Sequence, residues 1–170
     1  LVDRIIDGRL SCNLDGPAGS GKSTLLRQLM TKMDSTGLNY VALAPTNKAA
    51  NIIKGMTIHR FAISCSKKNV RDMKLDYILV DEVSMLSLKL FNILNEIGKA
   101  VRGNLAPFGG IQLIFSGDFF QLPPVGDKDD PDTQRFCFES DEWFKTFPKE
   151  NHVILTNIYR QTDKQYTDIL

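Results

Sequence analysis

The stretch GPAGSGKS at residues 16–23 concentrates the groups needed to hold a nucleotide by its phosphates. Gly16, Gly19 and Gly21 let the backbone fold tightly, so that the N–H groups of a loop also holding Pro17, Ala18 and Ser20 converge on phosphate oxygens. Lys22 is spaced to reach the β- and γ-phosphates, and the Ser23 hydroxyl to ligate Mg²⁺. Thr24 follows in the first turn of a helix whose positive N-terminal end adds to the attraction. A glycine-rich turn could match such a pattern by accident. Here the pattern has its required setting, an apolar strand before it and an amphipathic helix after it.

Two further stretches supply complementary groups. YILVDEVSML at 77–86 ends an apolar run in two acids. Asp81 sits where a strand-end carboxylate would meet Mg²⁺ through its water shell, and Glu82 offers a base to orient and deprotonate an attacking water. The plainer alternatives, a strand-end acid and a surface acid, are outweighed by the phosphate loop beside them. LIFSGDFFQLPPV at 113–125 carries Gln121 just past another apolar run. A neutral amide both donates and accepts, so Gln121 can hold the water and sense the γ-phosphate without competing for a proton. Pro123 and Pro124 stiffen the segment, so that displacement at Gln121 is passed on rather than absorbed. Asp118 reads as the cap of the local turn rather than as a metal ligand.

These groups need a scaffold that brings them to one edge. Apolar runs at 10–14, 40–44, 77–80, 111–115 and 153–155 read as strands. Between them lie helical patterns: 22–35 with Leu25, Leu26, Leu29 and Met33 on one face, short helices at 47–54 and 58–64, and 87–101 with Leu90, Leu94 and Ile97 at helical spacing. Such alternation predicts an α/β fold, a mostly parallel sheet with helices on both faces. Ligands then bind at the carboxyl ends of the strands, which is where Gly16, Asp81 and Gln121 fall. Residues 124–149 interrupt the alternation with an irregular excursion holding the acidic DKDDPD and the aromatics Phe136, Phe138, Trp143, Phe144 and Phe147. The expected form is a solvated tip pinned to the body by its aromatics.

The bulk properties set limits. A chain of 170 residues builds one domain around one core. A net charge of +1 gives no global attraction to nucleic acid, so any such binding must use a local patch. Three well-separated cysteines and two histidines do not make a zinc site, and unbridged thiols suit a reducing, intracellular compartment. No apolar run approaches the ~20 residues of a membrane span. The chain begins at Leu1 without a methionine and stops in YTDIL without a helix cap, which suggests a piece of a longer protein.

In order and spacing, GPAGSGKS, APTNKAA (44–50), MTIHRF (56–61), LVDEVSML (79–86), GDFFQLPPV (117–125) and YRQ (159–161) resemble the first motor lobe of the PIF-type helicases, relatives of RecD within superfamily one. PFGGIQLIFSGDFFQLPPV and FCFESDEWF point to the PIF branch. The resemblance covers nearly the whole chain. It implies an ATP-driven 5′-to-3′ DNA helicase whose lobe is a RecA-like P-loop NTPase, with strand order fifth, first, fourth, third, second and the phosphate-loop strand central between its neighbours. It puts ATP and Mg²⁺ at Gly19, Gly21, Lys22, Ser23, Asp81 and Glu82, makes Gln121 the γ-phosphate sensor, and makes Arg160 an arginine that reaches the γ-phosphate. It assigns single-stranded DNA to Pro45, Thr46, Asn47, Thr57 and His59, and it suggests a monomer of the nucleus or mitochondrion.

Physical chemistry permits those DNA contacts and also permits others. The Thr46 hydroxyl suits a phosphate oxygen but also suits the cap of the next helix. His59 can donate to a phosphate or stack on a base, or it can be a satisfied interior histidine. Phe61 reads as core, and the basic run SKKNVR at 66–71 as a solvated face. Three departures from the family pattern stand out. Residues 1–10 lack the glutamine with which relatives read adenine, the segment from His59 to Asp81 is short for a strand-separating wedge, and nothing after Arg160 could form a second RecA-like lobe. That missing lobe favours an alternative of another class, an ATP-dependent DNA-binding module with little turnover. A small-molecule phosphotransferase would need a cationic lid, and DKDDPD has the wrong charge.

Overall fold

A computed structural model describes residues 1–67 and 69–156. Six strands form one sheet: β1 (Cys12–Asp15), β2 (Tyr40–Ala44), β3 (Met56–Thr57), β4 (Tyr77–Val80), β5 (Gln112–Gly117) and β6 (His152–Ile154). Their order is β3-β2-β4-β5-β1-β6, and every pair is parallel. The phosphate-loop strand β1 is interior, flanked by β5 and β6. The expected order of five strands is present, with β3 added outside β2. Two residues paired with Leu43 and Ala44 are too short to leave a periodic signal.

The helices are α1 (Val2–Asp7), α2 (Lys22–Thr36), α3 (Asn47–Ile52), α4 (Ile58–Ser66), α5 (Leu88–Arg102) and α6 (Trp143–Thr146). Strand β4 shows why both faces are covered: all four of its residues are buried, and alternate ones face opposite cores. Leu79 joins Leu14, Leu26, Leu29, Met33 and Ile114 under α1 and α2. Ile78 and Val80 join Phe61, Phe91, Leu94, Leu113 and Phe115 under α4 and α5. Helix α1 escaped the sequence reading because it shows only Ile5 and Ile6 to the core, too few for a pattern. The ends of α5 follow its sequence: the Ser87 hydroxyl accepts from Leu90 N at 3.3 Å, and Gly103 closes it with φ 60.

The connection from α5 to β5 is a tight joint. Gly98 lies so close to the 107–110 turn that a Cβ there would stand 2.5 Å from the Phe108 carbonyl oxygen, and one on Gly109 would stand 2.3 Å from that of Gly98. The buried Asn95 side chain accepts from Phe108 N at 2.7 Å, closing the joint with a hydrogen bond.

The excursion after Pro124 is more built than a pinned tip. Trp143 and Phe147 are core residues packed on Phe115, and Phe136 stacks on Phe138 at 4.9 Å with Phe119 edge-on to both. An isolated bridge pairs Phe136 with Ser87. Phe144 departs from the expected cluster and stands exposed. Cys12, Cys65 and Cys137 are all buried. No helix among the described residues is long and apolar enough to cross a membrane.

Candidate nucleotide cavity and nucleic-acid groove

The loop after β1 turns back on itself at Gly16, with φ 151, where a Cβ would meet the Leu155 carbonyl oxygen at 2.5 Å. A side chain is therefore excluded at the point where the loop begins. Asp15 fixes that turn by accepting from Gly16 N at 2.8 Å, and Ser20 N donates to Pro17 O at 3.2 Å. The Lys22 ammonium donates to the Gly16 carbonyl and, at 2.8 Å, to that of Pro17. Burial pulls its pKa below the ordinary lysine range, while the charges of Asp118, Asp81 and Asp15 oppose the shift.

A cavity of about 270 Å³ opens above this loop. Gly19, Lys22, Ser23, Asp81, Glu82 and Gln121 line it together, with Ala18 and Gly21 beside them. Gly16, Pro17, Ser20 and Thr24 lie outside the lining: the first three shape the loop, and Thr24 is exposed on the first turn of α2. The buried Asp81 accepts from the Ser23 hydroxyl at 3.3 Å and from Glu82 N at 3.0 Å. Glu82 holds a left-handed backbone (φ 54, ψ 45), uncommon for a residue with a side chain. Desolvation raises its carboxyl above the usual range, and the Asp81 charge raises it further, with Lys48 opposing.

Asp118 makes the expected turn cap and something more. Its carboxylate accepts from Phe120 N at 3.0 Å and from the Gln121 side-chain amide at 3.2 Å, so the acid that caps the turn also orients the glutamine. The joined Ser23 hydroxyl and Asp81 carboxylate are hard oxygen donors of the kind Mg²⁺ accepts alongside substrate phosphates and water. Among the described residues no group of three or more His, Cys, Asp or Glu could hold an ion.

A second concavity, of about 630 Å³, lies on the far side of Met85, which lines both. Pro45, Thr46 and His59 form one of its walls. His59 is exposed, so the interior-histidine alternative is set aside: the ring follows the exposed start of α4 while the apolar positions Ile58 and Phe61 turn inward. Phe61 is core, as read. Thr46 caps α3, accepting from Ala49 N at 3.2 Å, and Thr57 caps α4 in the same way through Arg60 N. Asn47 and Thr57 flank the groove without lining it. The other wall comes from the excursion, through Val125, Gly126, Asp127 and Thr133, and Ser87, Lys89 and Leu90 lie between the two walls. None of these was read as a binding residue from the sequence, because only tertiary placement brings the excursion opposite Thr46. Lys67, Asn69 and Arg71 of the basic run are exposed, as read. Arg160 lies outside the described residues.

The PIF1-like helicase family profile matches residues 8–169. The chain belongs to the PIF1-like helicase family. This PIF1-like chain is 35% identical, over its whole length, to the ATP-dependent DNA helicase RRM3 of Saccharomyces cerevisiae and covers 26% of that protein. Among solved structures it superposes on the Pif1 helicase from Candida albicans with a TM-score of 0.83 at 34% identity, covering 99% of this chain and 41% of that one. A Bacteroides Pif1 helicase in complex with ADP-AlF3 and single-stranded DNA gives a TM-score of 0.80 at 26% identity, over 99% of this chain and 44% of that one. The PIF1-like sheet is thus the RecA-like lobe of these enzymes, and the chain spans about a quarter of the length of the curated relatives it matches.

Proposed function

We propose that this chain is the first motor lobe of an ATP-dependent 5′-to-3′ DNA helicase, binding Mg-ATP in the cavity and single-stranded DNA in the groove beyond Met85. The observation that carries the reading is the convergence of Lys22, Ser23, Asp81, Glu82 and Gln121 on one cavity that shares a wall with the groove. Lys22 exchanges its loop carbonyls for the β- and γ-phosphate oxygens. Ser23 and Asp81 would hold Mg²⁺, which neutralises charge on the phosphates. Gln121, oriented by Asp118, positions a water in line with the γ-phosphorus. Glu82 takes a proton from that water as its oxygen bonds to phosphorus and the bond to the β–γ bridging oxygen breaks, releasing ADP and phosphate. In the groove, the hydroxyls and N–H groups at Thr46 and Thr57, with Asn47 and His59, are suited to phosphate oxygens and sugars.

Two features support a partner lobe as the cavity's missing wall. Relatives are about four times longer, and Phe120 (99% exposed) and Leu122 stand bare beside Gln121. On this reading the isolated lobe is monomeric, binds ATP, hydrolyses it slowly and unwinds nothing. The alternative, an ATP-dependent DNA-binding module, is favoured by the same partial coverage. The compartment we assign is the nucleus or mitochondrion, from the resemblance to eukaryotic relatives.

Steady-state phosphate release with and without oligo-dT separates the readings. The motor predicts release that single-stranded DNA stimulates and that rises when a second lobe is present. It also predicts that Arg160→Ala lowers turnover by ~10³-fold in the two-lobed protein while nucleotide affinity changes little, because such an arginine acts on transition-state charge. Unstimulated release, or equal turnover without Arg160, refutes it. Robust unwinding by the 170 residues alone refutes the need for a second lobe.

A further inference from the structure

Lys89 lies in the first turn of α5, between the two walls of the groove. Among the described residues that line the groove it is the one lysine or arginine, and Asp127 opposite adds negative charge. A groove for a polyanion draws much of its affinity from neutralising phosphates, so the identity of its single fixed cation matters. That cation is already engaged: the ammonium of Lys89 donates to Oδ2 of Asp130. The two side chains are 50% and 38% exposed, which makes the pair weak and easily exchanged.

The 127–133 loop is shaped to hold that carboxylate in place. Asp127 N donates to the Thr133 hydroxyl at 2.8 Å, and that hydroxyl donates to the Asp130 carbonyl at 2.6 Å. Asp130 N returns to the Asp127 carbonyl at 3.2 Å, and Leu88 N anchors the segment by donating to Arg135 O at 2.9 Å. Arg135, the neighbouring cation, is occupied by Asp132 and Glu139. Asp130 therefore gives Lys89 the contact that a phosphate oxygen would give, from a structured loop on the groove's rim.

We propose that Lys89 is a further contact for a DNA backbone phosphate and that Asp130 stands in for that phosphate, so a single strand must displace the carboxylate to engage the lysine. The proposal rests on the reading of the groove as the DNA site. It makes the excursion a resident competitor: a strand gains the lysine only by giving up the intramolecular pair.

Anisotropy titrations of labelled oligo-dT against salt, on the natural protein that carries these residues, test it. Lys89→Ala should weaken binding several-fold at low salt and make the log K against log salt slope shallower by about 0.7, one phosphate's share for a single strand. Lys89→Arg should keep the slope, and Lys89→Gln, which keeps a long polar side chain but loses the charge, stands in for the alanine variant if that one misfolds by circular dichroism. Asp130→Asn should bind about two- to five-fold tighter, the scale of releasing an exposed ion pair. In the Lys89→Ala background Asp130→Asn should bring no gain. An unchanged slope in Lys89→Ala overturns the contact. An equal gain from Asp130→Asn with and without Lys89 overturns the exchange and leaves only general repulsion. His59→Ala, run alongside, separates the levels: if it weakens binding while Lys89→Ala does not, only the present proposal falls, and if the wild type does not bind oligo-dT, the groove reading falls with it.

Discussion

In the nucleotide cavity the functional side chains hang from backbone with little freedom: a loop closed by Gly16 and Asp15, a strand end at Asp81, a left-handed Glu82, and a turn capped by Asp118. In the groove beyond Met85 the contacts are helix caps, one exposed imidazole and one lysine paired across to a surface loop. The first site takes charge partly out of water, where each group counts for much. The second leaves its groups in high dielectric, where each counts for little and the sum decides. On the proposed reading, holding a nucleotide tightly while letting a strand slide calls for that contrast.

The contrast breaks if single substitutions in the two sites have effects of similar size. Among the described residues the largest is expected at Glu82. In the natural protein, Glu82→Gln should retain Mg-ATP but slow hydrolysis by ~10²-fold or more, measured as phosphate release in single turnover. A pH series sharpens this. The Glu82 carboxyl is raised by desolvation and by Asp81, and a base works only when deprotonated, so wild-type hydrolysis should fall as pH drops through a pKa above the usual carboxylate range. That acid limb should vanish in Glu82→Gln, and a limb that persists unchanged assigns the base elsewhere.

Next in size is Lys22→Ala, which removes the side-chain cation of the phosphate loop. Losing a partly buried charge-assisted contact costs about 2–3 kcal/mol, roughly 30- to 150-fold in affinity for a fluorescent ATP analogue. An unchanged dissociation constant would sink the phosphate-site assignment. The smallest effect belongs to the groove: His59→Ala should weaken oligo-dT binding by only about three- to ten-fold and leave nucleotide binding intact. Adding Thr57→Ala should deepen the loss, and because Thr57 caps α4 it should also lower stability by about 1 kcal/mol in thermal unfolding. A hundred-fold loss from His59→Ala would mean that the groove is not the screened, distributed site described.

The same contrast explains what could be read from the chain. GPAGSGKS and LVDE are contiguous, and their residue types are dictated by local backbone geometry, so the cavity was legible without knowing any distance. The strand order, taken from the resemblance, matches apart from β3, whose two residues carry no periodicity. Asp118 was legible as a turn cap, but its grip on Gln121 needed coordinates. Lys89 was invisible because its significance lies in partners about 40 residues away, on an excursion whose sequence reads as a solvated tip. The basic run at 66–71 is denser in charge along the sequence, yet it reads as a solvated face, and Lys67 and Arg71 are exposed.

The joint at Gly98 can be seen as a fulcrum. With backbone meeting backbone on both sides, no flexible side chain separates α5 from the turn that leads into β5, so displacement there has little to compress before it becomes rotation. Lys89 lies nine residues along the helix from Gly98, about 13 Å at the helical rise, so a tilt of about five degrees at the joint swings the groove floor by about 1 Å. At its other end β5 runs into the turn that carries Gln121. The helix is thus a lever arm whose short end meets the turn leading into β5 and whose long end underlies the groove that we propose for the DNA strand. On the proposed reading, that close glycine contact would pass a small shift near the nucleotide to the groove floor with little loss.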